Sequence, residues 1–321
     1  MSSNISPRER GDTSVGDVVV EWRSDWGLIE RWAQAPVAQT VRVYPNLHEG
    51  RRHSMYLIRS RQIALERRRA RRVGAGREFD SLRDYQPGDD RRDVSWIVSA
   101  RRAKLITKVY QPERSQTVWL LVDAGRLLRT RTGSQTLLDR TTTAALAVAQ
   151  VAMTSGDNVG LVAYGRLIHQ RLAPARGAAH MRGLIEALAV VRAEALEADH
   201  ASAVAALRSG QKRRALVIWL TEIAETAGVP DVIQYAMNLS SRHVVLFATM
   251  RQPELADVAT LRPSTTRDLY RVLAAQEAAD RRESLLRSLA HRGALVVETS
   301  PDALAGGLVN RYLEVKERGL L

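Results

Sequence analysis

Cysteine is absent from all 321 residues. That excludes disulfides, thiolate metal sites and thiol catalysis together, and it suits a reducing compartment. No apolar run approaches the roughly 20 residues that a membrane helix needs. Met1 to Arg10 is polar and lacks the apolar stretch of a secretion signal. The expected location is therefore cytoplasmic. Catalytic motifs are equally scarce. Seven histidines are present, but no two stand at the helical spacing of a zincin. There is no Gly-x-Ser-x-Gly elbow. Gly74-Ala75-Gly76 lacks the Lys-Ser/Thr that completes a phosphate-binding loop, so any ATP must belong to a partner.

What is present points to a folded protein. Hydrophobic residues make up 45%, too many for a disordered chain, and the length allows one large or two modest domains. The formal net charge is +13, and most of it is local. Residues 51–72 hold nine arginines against one acid, Glu66, a net of +8. Arg67, Arg68, Arg69, Arg71 and Arg72 form its densest part. Such a run meets phosphate, anionic lipid or an acidic protein face. Only Tyr56 is aromatic there, so stacking on bases is poorly supplied and binding to nucleic acid is expected to be non-specific. The plainer reading is a solvated basic helix.

Along the chain, residues 1–50 carry two β-type runs, Val18–Trp22 and Val41–Tyr44, and read as part of a small β domain. Residues 51–76 read as an Arg-rich, helical connector, and 77–117 as a distinct segment. From 118 to 321 the pattern becomes regular. Apolar runs of strand length recur at Val118–Val122, Val159–Tyr164, Ala215–Leu220, His243–Ala248 and Ala294–Glu298. Unbroken runs of this kind suit strands buried on both faces. Helical stretches separate them, at Leu137–Met153, Met181–Leu196, Val229–Leu239 and Thr266–Leu289. The alternation predicts an α/β fold, a doubly wound and mostly parallel sheet with Val118–Val122 central. Ligands in such sheets sit at the C-terminal ends of the strands, where Asp123 and Glu222 fall.

One segment is more specific. Gly76 to Asp90 reads GREFDSLRDYQPGDD and is followed by Arg92, Trp96, Ala100-Arg101, Lys104-Leu105 and Glu113. The pattern continues in Val122-Asp123-Ala124-Gly125-Arg126-Leu127, in Gly156 to Gly160, and in Val309 to Glu314. This ordered set, over roughly residues 40 to 321, resembles the bacterial domain-of-unknown-function family fifty-eight. The resemblance implies a von Willebrand factor A-like domain after a small β domain, commonly anchored by an N-terminal membrane hairpin. It also implies a MoxR-type AAA+ ATPase as partner, since the genes are usually adjacent. The hairpin is not in this sequence, which is expected to be a truncated form or to have its true start upstream.

Domains of this type often carry a Mg²⁺ site built on Asp-x-Ser-x-Ser, with a Thr and a second Asp from neighbouring loops. Here Asp123 holds the first position, but Gly125 and Leu127 replace the two serines and Glu222 replaces the second Asp. Thr141, Thr142 and Thr143 remain as hydroxyl candidates, Thr141 foremost. With two oxygen ligands missing, no metal and no other cofactor is expected, and Asp123 is expected to cap backbone or pair with arginine.

Gln86-Pro87-Gly88-Asp89 suits a type II turn. Arg83, Asp89, Asp90 and Arg92 around it admit two readings, a docking surface for the ATPase or an ion-pair network that holds the loop. A nuclease-like metal cluster of Glu78, Asp84, Asp89 and Asp90 is opposed by the interleaved arginines. Trp96, Trp119 and Trp219 read as core residues, and His169 and His243 as satisfied structural groups. The function expected is a non-enzymatic adapter or scaffold, acting in the cytoplasm or at the inner face of the membrane. The alternatives are a binder of nucleic acid or an anionic surface through residues 51–72, and a metal-dependent hydrolase using Asp123 and Glu222.

Overall fold

A computed structural model describes residues 10–45, 78–111, 115–223 and 229–320. The first stretch holds four strands, β1 (Gly11–Val15), β2 (Val18–Arg23), β3 (Glu30–Ala35) and β4 (Gln39–Val43), where the sequence suggests two. They form two antiparallel pairs, β1 with β4 and β2 with β3. The β2–β3 hairpin leaves Trp22, Trp26 and Trp32 exposed. Arg10, just before β1, reaches Asp139 at 2.5 Å and the Leu188 carbonyl at 2.5 Å, and Arg42 of β4 reaches Glu186 at 2.9 Å.

The family-like segment forms a third antiparallel pair around a short helix: β5 (Glu78–Asp84), α1 (Trp96–Arg102) and β6 (Ile106–Gln111). The main domain follows as β7 (Thr117–Asp123), α2 (Leu137–Thr154), β8 (Asn158–Tyr164), β9 (Ile168–Ala175), α3 (Ala178–Val190), α4 (His200–Gly210), β10 (Leu216–Leu220), α5 (Val229–Ser240), β11 (Val244–Met250), α6 (Pro253–Thr260), α7 (Thr266–His291), β12 (Leu295–Thr299) and α8 (Leu304–Arg318). Its six-stranded sheet runs β9-β8-β7-β10-β11-β12. All neighbours are parallel except β9, which returns antiparallel along β8. This is the doubly wound, von Willebrand factor A-like fold, with Val118–Val122 inside the sheet.

Period-two alternation explains the three layers. On β7, Val118, Leu120 and Val122 face the layer of α2, α3 and α8. Trp119 and Leu121 face the other layer, of α4, α5 and α7. Gly160 on β8 sits in register with Trp119, and a side chain there would come within 2.7 Å of the indole. The absence of a side chain at 160 therefore lets the largest residue of β7 lie across the sheet. Two capping boxes set helix starts, Thr136 with Asp139 for α2 and Thr265 with Asp268 for α7. The Gly156-Asp157-Asn158 turn is tied to the C-terminal helix. Buried Asp157 accepts from Lys316 Nζ at 2.6 Å, the Tyr312 hydroxyl at 2.5 Å and the Gln116 N–H at 3.1 Å.

Helix α3 ends at Val190, six residues before the predicted Leu196. Residues 191–199 instead cross the C-terminal edge of the sheet, where Ala124 accepts from the Glu194 N–H and Leu196 from the Arg126 N–H. Among the described residues no helix is long and apolar enough to cross a membrane.

Candidate functional site

The C-terminal edge of the sheet opens into a cavity of about 220 Å³, lined among others by Asp123, Arg126, Glu197, His200, Glu222 and Asp231. Asp123 and Glu222, expected at this edge, are thus brought to one cleft. Both are almost fully buried and both are held by protein donors. One Asp123 oxygen accepts from the Gly125 N–H at 2.7 Å and the other from the Thr221 hydroxyl at 2.5 Å. Burial pushes the Asp123 carboxyl above its ordinary range, against the opposing pull of His200 and the Thr221 bond. Glu222 accepts from the Met250 N–H at 2.6 Å and the Thr249 hydroxyl at 3.1 Å. Burial raises it to about 7, with Arg282 opposing.

The donor set does not fit a divalent cation. Gly125 is crowded: a side chain at that position would meet the Ala198 backbone nitrogen at 2.9 Å and Asp123 Oδ1 at 3.1 Å. A serine at 125 would therefore have to displace the 191–199 loop. Leu127 has no oxygen to offer, and the Thr141 hydroxyl donates to the Leu137 carbonyl at 2.9 Å within its own helix. Thr142 likewise donates to the Asp139 carbonyl at 3.0 Å. Asp123 caps backbone instead.

Behind the cleft lies a polar relay that sequence reasoning missed. Trp219 Nε1 donates to the Tyr164 hydroxyl at 2.7 Å, and that hydroxyl lies 3.0 Å from His200 Nδ1. The Tyr164 hydroxyl, accepting from Trp219 on one lone pair, shares its second hydrogen bond with His200 Nδ1, the donor being set by the imidazole tautomer. Burial holds His200 below the ordinary imidazole range, with Asp123 pulling the other way. The available signal was Asp199, whose side chain accepts from the Ser202 N–H and so starts α4 at His200.

The residues singled out around Pro87 form a braced loop. Asp89 donates its N–H to the Gln86 carbonyl at 3.0 Å, and Gly88 takes a φ of 108°. Asp89 also accepts from the Gln86 N–H and, at 2.7 Å, from Arg83, which together hold its carboxyl low. Asp90 caps the short turn at Arg91–Asp93 by accepting the Arg92 N–H. Arg92 itself is exposed, and its guanidinium meets no carboxylate among the described residues. Asp84 pairs with Lys104 at 3.0 Å, so these acids turn to separate partners, and no group of three possible metal ligands occurs among the described residues.

Two expectations are corrected. Trp119 and Trp219 are core, but Trp96 is 66% exposed, beside Ile97 at 73%, because α1 packs against β6 through its other face. His169 is satisfied by Glu194 at 2.5 Å, whereas the buried Nδ1 of His243 has no hydrogen-bond partner among the described residues. Arg67, Arg68, Arg69, Arg71 and Arg72, with the whole connector, lie outside the described residues.

A family model described as a protein of unknown function, DUF58, matches residues 81–287. An uncharacterized protein of Mycobacterium tuberculosis (strain H37Rv) is 28% identical over 267 residues, covering 77% of this chain and 82% of that protein. The uncharacterized protein YeaD of Bacillus subtilis is 26% identical over 206 residues, 61% of this chain and 47% of its own length. Among solved structures, the conserved hypothetical protein BatB from Bacteroides thetaiotaomicron shares 11% identity over 63% of this chain and 99% of that one, with a TM-score of 0.43. The SpRpn10 VWA domain shares 14% identity over 61% of this chain and 94% of its own, with a TM-score of 0.38. Both are likenesses of fold alone.

Proposed function

The chain belongs to the family of proteins of unknown function DUF58, and from that premise we propose that it is a non-enzymatic interaction module, an adapter working with a MoxR-type AAA+ ATPase in the assembly or maturation of other proteins. One observation carries the reading. Trp96 and Ile97 stand exposed in the first turn of α1, four and five residues after exposed Arg92, which has no acidic partner among the described residues. Large apolar side chains held in water on a rigid support are the usual anchors of a protein interface, and Trp and Arg dominate binding energy where they occur. Arg83, Asp89 and Asp90 brace the loop that precedes this group, so a partner meets a preformed surface. The charges set register more than raw affinity.

The same reading accounts for the cleft. With the oxygens of Asp123 and Glu222 engaged by protein donors, neither is presented as a base or nucleophile. We place the action in the cytoplasm at the inner face of the membrane, where the +8 of residues 51–72 favours anionic lipid.

The test is capture of the neighbouring ATPase by the full chain and by Arg92→Ala/Trp96→Ala. The double variant should bind at least about tenfold more weakly, about 1.4 kcal/mol, with its thermal midpoint nearly unchanged. Undiminished capture by a folded double variant would sink the docking surface. No capture by the parent chain would sink the partnership.

A further inference from the structure

We propose that the N-terminal edge of the sheet, opposite the Asp123 cleft, holds a binding pocket for a phosphate group, formed by Arg208, Lys212 and Arg242 around His243. The pocket measures about 350 Å³ and is also lined by Ala205, Ser209 and Gln211. That volume lies in the range of small-molecule sites.

Three features point to an oxyanion. First, the described lining contains three cations and no carboxylate, and none of the three cations is paired with an acid among the described residues. Arg208 comes from the last turn of α4, Lys212 from the loop after it, and Arg242 from the turn between α5 and β11. Like charges brought together from three places in the chain repel, and a multivalent anion relieves the repulsion.

Second, His243 lines the pocket while being only 4% exposed, and its buried Nδ1 has no hydrogen-bond partner among the described residues. A buried polar atom left without a partner is unfavourable and marks the imidazole as held by its packing beside the pocket. Burial, together with Arg242, Arg208 and Arg214, holds this imidazole below its ordinary range. The charges that act on it are these three cations.

Third, a further arginine, outside the lining itself, is bonded to the lining residue Ser209. Arg171 of β9 donates to Ser209 Oγ at 3.0 Å, and its Nη2 lies 2.8 Å from where a side chain at Gly210 would begin. Arginine's planar fork and a lysine point charge are the usual partners of phosphate.

The test uses the full chain and two probes, inorganic phosphate and AMP, at about 0.15 M chloride to screen loose surface attraction. The readout is the NMR signal of the His243 imidazole. Phosphate should give a saturable shift with a Kd near or below about 1 mM. AMP binding about tenfold tighter than phosphate assigns the phosphoryl group to a larger ligand, and equal affinity assigns free phosphate; either supports the pocket. Arg208→Ala/Arg242→Ala removes two exposed side chains, so the fold should survive, and affinity for both probes should fall at least about tenfold. Arg101→Ala, on α1, should change nothing. A linear response to phosphate, or equal weakening by Arg101→Ala, would overturn the proposal.

Discussion

Glu222, enclosed at the end of β10, has the Arg282 guanidinium of α7 only at 3.5 Å. That guanidinium is held more closely by others. It donates to the carbonyls of Met250 at 2.7 Å and Ile223 at 2.9 Å, to the Thr249 hydroxyl at 2.7 Å, and to Glu298 at 3.0 Å. Burial of Glu222 is therefore only partly offset by Arg282 and by the Met250 and Thr249 donors, and its carboxyl rises to about 7.

A pH dependence follows. The unfolded carboxyl ionises near 4.5 and the folded one near 7, so between these values the folded chain binds more protons. Stability should then fall as pH rises through that window and stay level above it. Glu222→Gln should remove the fall, gaining at most about 3 kcal/mol at about pH 8 and little at about pH 5. Urea unfolding of both chains at the two pH values measures it. Identical pH slopes would refute it.

The Asp157–Lys316 pair should matter more than any surface pair. Both side chains are nearly sealed, at 0% and 8% exposure. Lys316→Ala leaves a buried carboxylate with only the Tyr312 hydroxyl and a backbone N–H, and should cost about 3–5 kcal/mol. Arg287→Ala, which breaks an exposed pair with Glu283, should cost under about 1 kcal/mol. Chemical denaturation of the two variants compares them directly.

Gly160→Ala should cost about 1–3 kcal/mol, because the new methyl lands 2.7 Å from the Trp119 ring inside the sheet layer. Loss of Trp119 near-ultraviolet ellipticity should accompany it. An alanine variant as stable as the parent would show that the indole can move aside.

Titration calorimetry with Mg²⁺ and Mn²⁺ should give no saturable binding below about 1 mM, since Gly125 and Leu127 supply no oxygen and Asp123 is already doubly bonded. Leu127→Ser alone should not create a site. Gly125→Ser/Leu127→Ser should lower stability before it binds metal, because residue 125 abuts Ala198. A one-site isotherm from the parent chain, abolished by Asp123→Ala, would contradict this.

The amino-acid order by itself determined the strand runs of the sheet. Strands buried on both faces must be apolar at every position, so β7, β8, β10 and β11 announce themselves whatever surrounds them. The edge strand β9 mixes His169, Gln170, Arg171 and Pro174 with apolar residues, and only its pairing with β8 makes it a strand. Helix α3 stops at Val190 although Ala193, Ala195 and Leu196 would continue it, because the edge of the sheet needs a loop to receive the backbone of Ala124 and Arg126. The positions of Asp123 and Glu222 were legible, and their chemical state was not. Their partners Thr221 and Arg282 lie 98 and 60 residues away along the chain. Periodicity is a local property, whereas a side chain's donors, burial and charge are set by whatever the fold brings beside it.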